Sequence, residues 1–142
     1  MIKSFFLVAL WVVLVIFQSC SNERVARANK DGIDIVIISK KGSCFVVIDP
    51  DSGFSAEIGN QNYLEVKIKG GIVPVNHLVL FKDTNTGKVF VGYSGEVINK
   101  KLDSTYVFFE NSNDVCYDVQ NITTRRKCVD FDLFYVLNGS YR

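Results

Sequence analysis

The chain has 142 residues, 48% hydrophobic and 13% aromatic, and its 16 lysines and arginines nearly balance 15 aspartates and glutamates for a net charge of +1. The two signs are interleaved along the sequence, which excludes the segregated basic face of a nucleic-acid-binding protein. The densest basic cluster, Arg125-Arg126-Lys127, reads with Lys40-Lys41 and Lys100-Lys101 as solvated surface, because phosphate-driven binding recruits more charge over a larger area.

At the N-terminus Lys3 precedes thirteen unbroken apolar residues, 5–17. A helix that spans an average bilayer needs about 20 apolar residues, whereas a run of about 10 to 14 has the length of a signal-peptide h-region. Residues 1–19 are therefore expected to form a signal helix that directs export. The run ends in Phe17-Gln18-Ser19-Cys20, which resembles the lipobox of bacterial lipoproteins. The resemblance covers those four residues. It implies lipidation of Cys20, which becomes the mature N-terminus and anchors the protein in a membrane of the cell envelope. Two or more acyl chains make such an anchor durable, at about 0.8 kcal/mol per buried methylene.

Other ends for the signal stay open. Ala26-Arg27-Ala28 supplies an A-x-A site that would release a soluble, secreted protein beginning at Asn29, and a cut nearer Ser19 would do so without lipid. Residues 2–17 would serve as an uncleaved anchor in a locally thinned bilayer. Residues 20–31 are polar, carry Glu23, Arg24, Arg27 and Lys30, and read as a tether.

Residues 32–142 have the size of one domain, which buries roughly two-thirds of the surface its unfolded chain exposes. Period-two alternation dominates. In 63–69, Leu64, Val66 and Ile68 fall on one face and Glu65, Lys67 and Lys69 on the other, and 54–58 and 129–133 alternate likewise. The runs 33–39, 44–49, 73–81, 88–94 and 105–110 are apolar on both faces and read as central or doubly covered strands. Asp49-Pro50-Asp51-Ser52-Gly53 is expected to turn with proline in second place, and a turn at 83–88 uses Gly87, with Asp83 and Lys88 free to pair across its base. Pro74 lies near the start of its strand, where a missing donor is tolerated. The expected fold is all-β: a small, single-domain, antiparallel sandwich or barrel of about 7–9 short strands behind the signal helix.

With Cys20 lipidated or removed, Cys44, Cys116 and Cys128 remain for pairing in an oxidising compartment. A hairpin centred on Ile122 sets Cys116 across from Cys128 and Asp118 across from Arg126, which predicts a Cys116–Cys128 disulfide and leaves Cys44 as a buried small hydrophobe. The same register opposes Asp114 to Asp130 unless the ladder ends first.

Catalytic and metal patterns are incomplete. The pairs Asp49/Asp51 and Asp83/Asn85 begin like calcium loops but lack the sixth-place glycine and twelfth-place glutamate, so they read as turn chemistry. Gly92-Tyr93-Ser94-Gly95 lacks the second glycine of a nucleophile elbow. His77, the single histidine, reads as a packed or surface residue, although a hairpin at 83–88 brings it near Ser94 and permits a hydrolase using Ser94 or Cys44. One histidine with scattered cysteines does not suit zinc, and no cofactor is expected. Asn121-Ile122-Thr123 and Asn138-Gly139-Ser140 are glycosylation sequons, relevant in a eukaryotic or viral host. Tyr135 and Tyr141 are the aromatics expected to stay exposed as interface anchors.

The expected function is that of an envelope lipoprotein, membrane-bound through its N-terminal lipid, whose β domain binds a protein or glycan without catalysis. An exported inhibitor is a variant of this reading. The alternatives are a secreted immunoglobulin-like glycoprotein that binds a receptor or immune ligand, and a small hydrolase using His77.

Overall fold

The computed structural model describes residues 23–54, 57–69, 76–118 and 121–139, with side chains excluded at 118 and 121–125. Cys20, the lipobox, Pro74 and Tyr141 lie outside the described residues. Among the described residues nine strands form two sheets, and a two-strand ribbon accompanies them. The first sheet has the order β1 (Arg24–Lys30), β2 (Ile33–Lys40), β3 (Ser43–Ile48), β4 (Tyr63–Val66) and β7 (Val97–Lys101). The second has the order β11 (Val129–Asp132), β5 (His77–Lys82), β6 (Val89–Tyr93) and β8 (Tyr106–Phe109). The fold is thus all-β and sandwich-like, not a closed barrel. All pairings in the two sheets are antiparallel except β6 with β8, which is parallel.

Alternation builds the core. Ile33, Ile35 and Ile37 of β2, Val46 and Ile48 of β3, and Leu64 and Val66 of β4 face Leu78 and Leu80 of β5, Val89 and Val91 of β6, and Val129 and Phe131 of β11 in one buried cluster. Each such side chain contributes roughly 1.5–3 kcal/mol by leaving water. Helix α1 (Leu133–Leu137) follows β11, capped by the Asp132 carboxylate, which accepts from the Phe134 N–H. It adds Leu133 and Val136 to the core and packs against β1 and β2, closing one side of the sandwich.

Four sequence expectations change. The tether read at 20–31 is, from Arg24 onward, strand β1, paired with β2 along its whole length. Its small residues Ala26 and Ala28 pack on the core, and a tight turn through Asp31 and Gly32, both at positive φ, returns the chain. Segment 54–58 is not a strand where it is described. Phe54 and Ile58 instead cover a second apolar patch, Val36, Ile38 and Val47, on the outer face of the first sheet. The hydrogen-bonded turn there runs from Asp51 to Phe54, so Pro50 stands before it and not second in it. At 83–88 the pairing is between backbones, Asp83 N–H to the Lys88 carbonyl at 2.8 Å, while the Asp83 carboxylate accepts from Asn85 N–H and Thr86 Oγ1. Both acidic turns therefore spend carboxylate oxygens on local donors, and Asp51 likewise accepts from Gln61.

Asn76 anchors the loop before β5. It is 6% exposed, its Nδ2 donates to the Lys69 carbonyl at 2.6 Å, and its Oδ1 accepts from the Lys69 N–H at 2.9 Å, so one side chain matches both backbone groups of Lys69. The Tyr93 hydroxyl donates to the Lys67 carbonyl alongside, and burial raises the pKa of this phenol. Asn76→Ala leaves both Lys69 backbone groups unmatched and is expected to cost about 2–3 kcal/mol. Urea unfolding would read this as a lower midpoint at unchanged slope, and a loss under about 0.5 kcal/mol would contradict it.

Candidate functional site

The outer face of the second sheet collects the side chains with the most chemistry. Because Leu78 and Leu80 point inward, β5 directs His77, Val79 and Phe81 outward; β6 adds Phe90 and Gly92, β8 adds Val107 and Phe109, and β11 adds Asp130 and Asp132. Phe81, Phe90 and Phe109 form a half-buried ladder with ring centroids 6.0 and 5.9 Å apart. Gly92 leaves a slot between Val79 and Phe109. The chain fills that slot after β8 with a 3₁₀ helix, η1 (Ser112–Cys116), whose Val115 is fully buried.

The Cys116–Cys128 disulfide fastens this crossing segment to the start of β11, with Cα atoms 5.7 Å apart. The disulfide is as expected, but the hairpin beside it is not. Strands β9 (Tyr117–Asp118) and β10 (Asn121–Arg125) set Asp118 across from Asn121, not Arg126, with a register break before Arg125. Cys116 belongs to η1, and its carbonyl accepts from the Arg126 N–H at 2.7 Å. The Asp114–Asp130 opposition does not arise, because Asp114 lies within η1.

Arg126 is a further correction. Its guanidinium lies 4.6 Å from the Phe90 centroid and 5.3 Å from that of Phe81, a doubly stacked cation and not a solvated loop charge. Beside it opens a cleft of about 470 Å³ lined by Val79, Ser112, Asn113, Tyr117, Arg126, Lys127, Asp130 and the disulfide. Tyr117 is 44% exposed at its rim. One end of this face sets a histidine between two carboxylates: His77 Nδ1 lies 2.8 Å from Asp130 Oδ1, and Nε2 lies 3.6 Å from Asp132 Oδ2.

That cluster is not a nucleophile–base pair. The hairpin does bring Ser94 to His77, but the Ser94 hydroxyl accepts from the His77 backbone N–H at 2.9 Å and both ring nitrogens face carboxylates. Cys44 lies on the inner face of the sandwich as a free, buried thiol, and burial pushes its pKa up, away from the reactive thiolate. No group of three or more His, Cys, Asp or Glu side chains among the described residues is placed to hold a metal. The arrangement can stack an aromatic or sugar ring and offer cations and a carboxylate at one mouth.

The remaining candidates are dispersed. Tyr135 is exposed on α1, its ring 5.8 Å from that of Phe134 in an edge-on pair. Asn138 ends α1 at the surface, where its Nδ2 donates to the Phe134 carbonyl, and Asn121 lies in β10. No helix among the described residues is long and apolar enough to cross a membrane. Sequence reasoning missed Arg126 and the role of Gly92, although the two-faced apolarity of β5, β6 and β8 pointed to a covered outer face. Compared with known proteins, the chain matches no family model, no curated protein and no solved structure.

Proposed function

We propose that the protein is exported, held to a membrane through lipid on Cys20, and acts as a non-catalytic binding module for a protein or glycan. The observation that carries this reading is the Cys116–Cys128 disulfide, which suits an oxidising compartment and rigidifies the cleft on the second sheet. A rigid site with a stacked arginine and half-exposed aromatics loses little entropy when a ligand docks. The start of β1 also bears on the anchor. A cut after Ala28 would discard Arg24–Ala28, which pair with β2 and carry two core alanines, so the A-x-A site conflicts with the fold. Cys20 lies three residues ahead of Glu23, the first described residue, which would set the domain within about 11 Å of the membrane.

The immunoglobulin-like alternative fares less well. The first sheet runs β1-β2-β3-β4 as a meander, whereas an immunoglobulin sheet has the order A-B-E-D. For a hydrolase on His77, both ring nitrogens are turned to the carboxylates of Asp130 and Asp132, and the Ser94 hydroxyl accepts from the His77 backbone instead. Replacement of the anchor tests the proposal: Cys20→Ala is expected to move the protein from the detergent phase to the aqueous phase with the β-sheet circular dichroism unchanged. Continued partitioning of that variant into detergent would refute lipidation.

A further inference from the structure

Sheet edges invite pairing, and natural proteins guard them with charge, bulges or covering elements. Three of the four edges here are guarded. Strand β1 carries Arg24, Arg27 and Lys30 and lies against α1. Strand β7 is bulged at Ile98 and carries Lys100 and Lys101. Strand β11 runs straight into α1, presents Asp130 and Asp132, and receives the Lys30 ammonium at the Asp130 carbonyl.

Strand β8 has none of these devices. Its sequence Tyr106-Val107-Phe108-Phe109 is uncharged and unbulged, and among the described residues it pairs on one side only. The Val89 N–H donates to the Thr105 carbonyl, a parallel register that aims the backbone of Thr105, Val107 and Phe109 at β6 and that of Tyr106 and Phe108 away from it. The Tyr106 N–H is taken by the Asp103 carbonyl, so Phe108 presents its N–H and C=O to the open side. A groove of about 400 Å³ separates this edge from β7, lined by Tyr93, Val97, Ile98, Lys100, Phe108 and Glu110. The Lys100 ammonium sits 4.5 Å from the Phe108 centroid, and Glu110 adds a carboxylate to the same groove.

We propose that β8 accepts an extended segment of a partner protein as a fifth strand of the second sheet, by main-chain pairing at Phe108. The segment alternates apolar with polar residues, and carries an acidic residue to meet Lys100 and a basic one to meet Glu110. A second copy pairing β8 with β8 is the weaker occupant, because its uncharged Tyr106–Phe109 brings neither the acidic nor the basic residue that Lys100 and Glu110 call for. This deepens the binding-module reading and rests on it, while standing apart from the lipid anchor.

The test uses the full chain in detergent micelles and an eight-residue peptide alternating valine with threonine, with glutamate at one end and lysine at the other. At about ten times its dissociation constant the peptide is expected to slow amide exchange at Phe108 about tenfold by mass action. The same peptide N-methylated at alternate amides should leave Phe108 unchanged, and Lys100→Glu should weaken the unmethylated peptide several-fold. Equal slowing by both peptides, or no slowing at Phe108, would overturn the proposal. Slowing that depends on protein concentration without peptide would overturn it in favour of a second copy. Peptide-induced changes at Tyr117 and Arg126 without change at Phe108 would overturn the edge site while leaving the binding-module reading in place.

Discussion

Gly92→Ala should destabilise the domain by about 2–3 kcal/mol and dislodge η1. An added Cβ would lie 2.7 Å from the Ser112 Cα and 2.8 Å from the Val115 Cγ2, and the first of these is backbone that no rotamer can move. Nothing about the backbone angle forbids alanine, so the whole effect comes from the crossing segment. Thermal unfolding would show a lowered midpoint. Combining Gly92→Ala with Val115→Ala should cost less than the sum of the two single changes, because the second removes part of the clash created by the first. Strict additivity, or a neutral Gly92→Ala, would mean that η1 does not sit in the slot.

The second large effect belongs to the disulfide. Cys116 and Cys128 are 12 residues apart in sequence, and closing so short a loop stabilises a fold by about 3 kcal/mol in the chain-entropy account. Replacing both cysteines with alanine should remove about that much. The loss should be uneven: the amides of Ser112 to Tyr117 should lose exchange protection, while those of β2 and β3 keep theirs until global unfolding. Uniform loss of protection would place the disulfide in the main folding unit instead of on its outer face.

The parts of the fold legible in the sequence were those where one residue type recurs every second position. Strands β4, β6, β8 and β11 fall within the expected segments, and β2, β3 and β5 overlap theirs with one end a residue beyond. Strand β1 was hidden because Arg24, Arg27, Asn29 and Lys30 made it look like a tether. Its core-facing alanines are too small to stand out, although Asp31-Gly32 is a strong hairpin signal. Strand β7 was hidden for a related reason, its Val97 alone being drawn inward while Ile98 to Lys101 are exposed.

The site divides in the same way. The disulfide is the expected one, although Cys116 sits in η1 and not in the hairpin register that predicted the pair. Arg126 was not legible, because its value lies in stacking on Phe81 and Phe90, residues 45 and 36 positions earlier in the chain. Gly92 drew notice as a fragment of a catalytic motif. Its use is to make room for Val115, which only the packing reveals. His77 and Ser94 did come together, but through the Ser94 hydroxyl and a backbone N–H, a distinction that residue types do not encode.

The intact mass of the protein purified from its native membrane fraction tests the central claim most directly. The account predicts a chain that begins at Cys20, carries acyl groups, and is two hydrogens lighter than the reduced chain through the Cys116–Cys128 bond. A mass matching an unmodified chain, a sugar-bearing one, or a chain that begins at Asn29 would contradict the anchored lipoprotein.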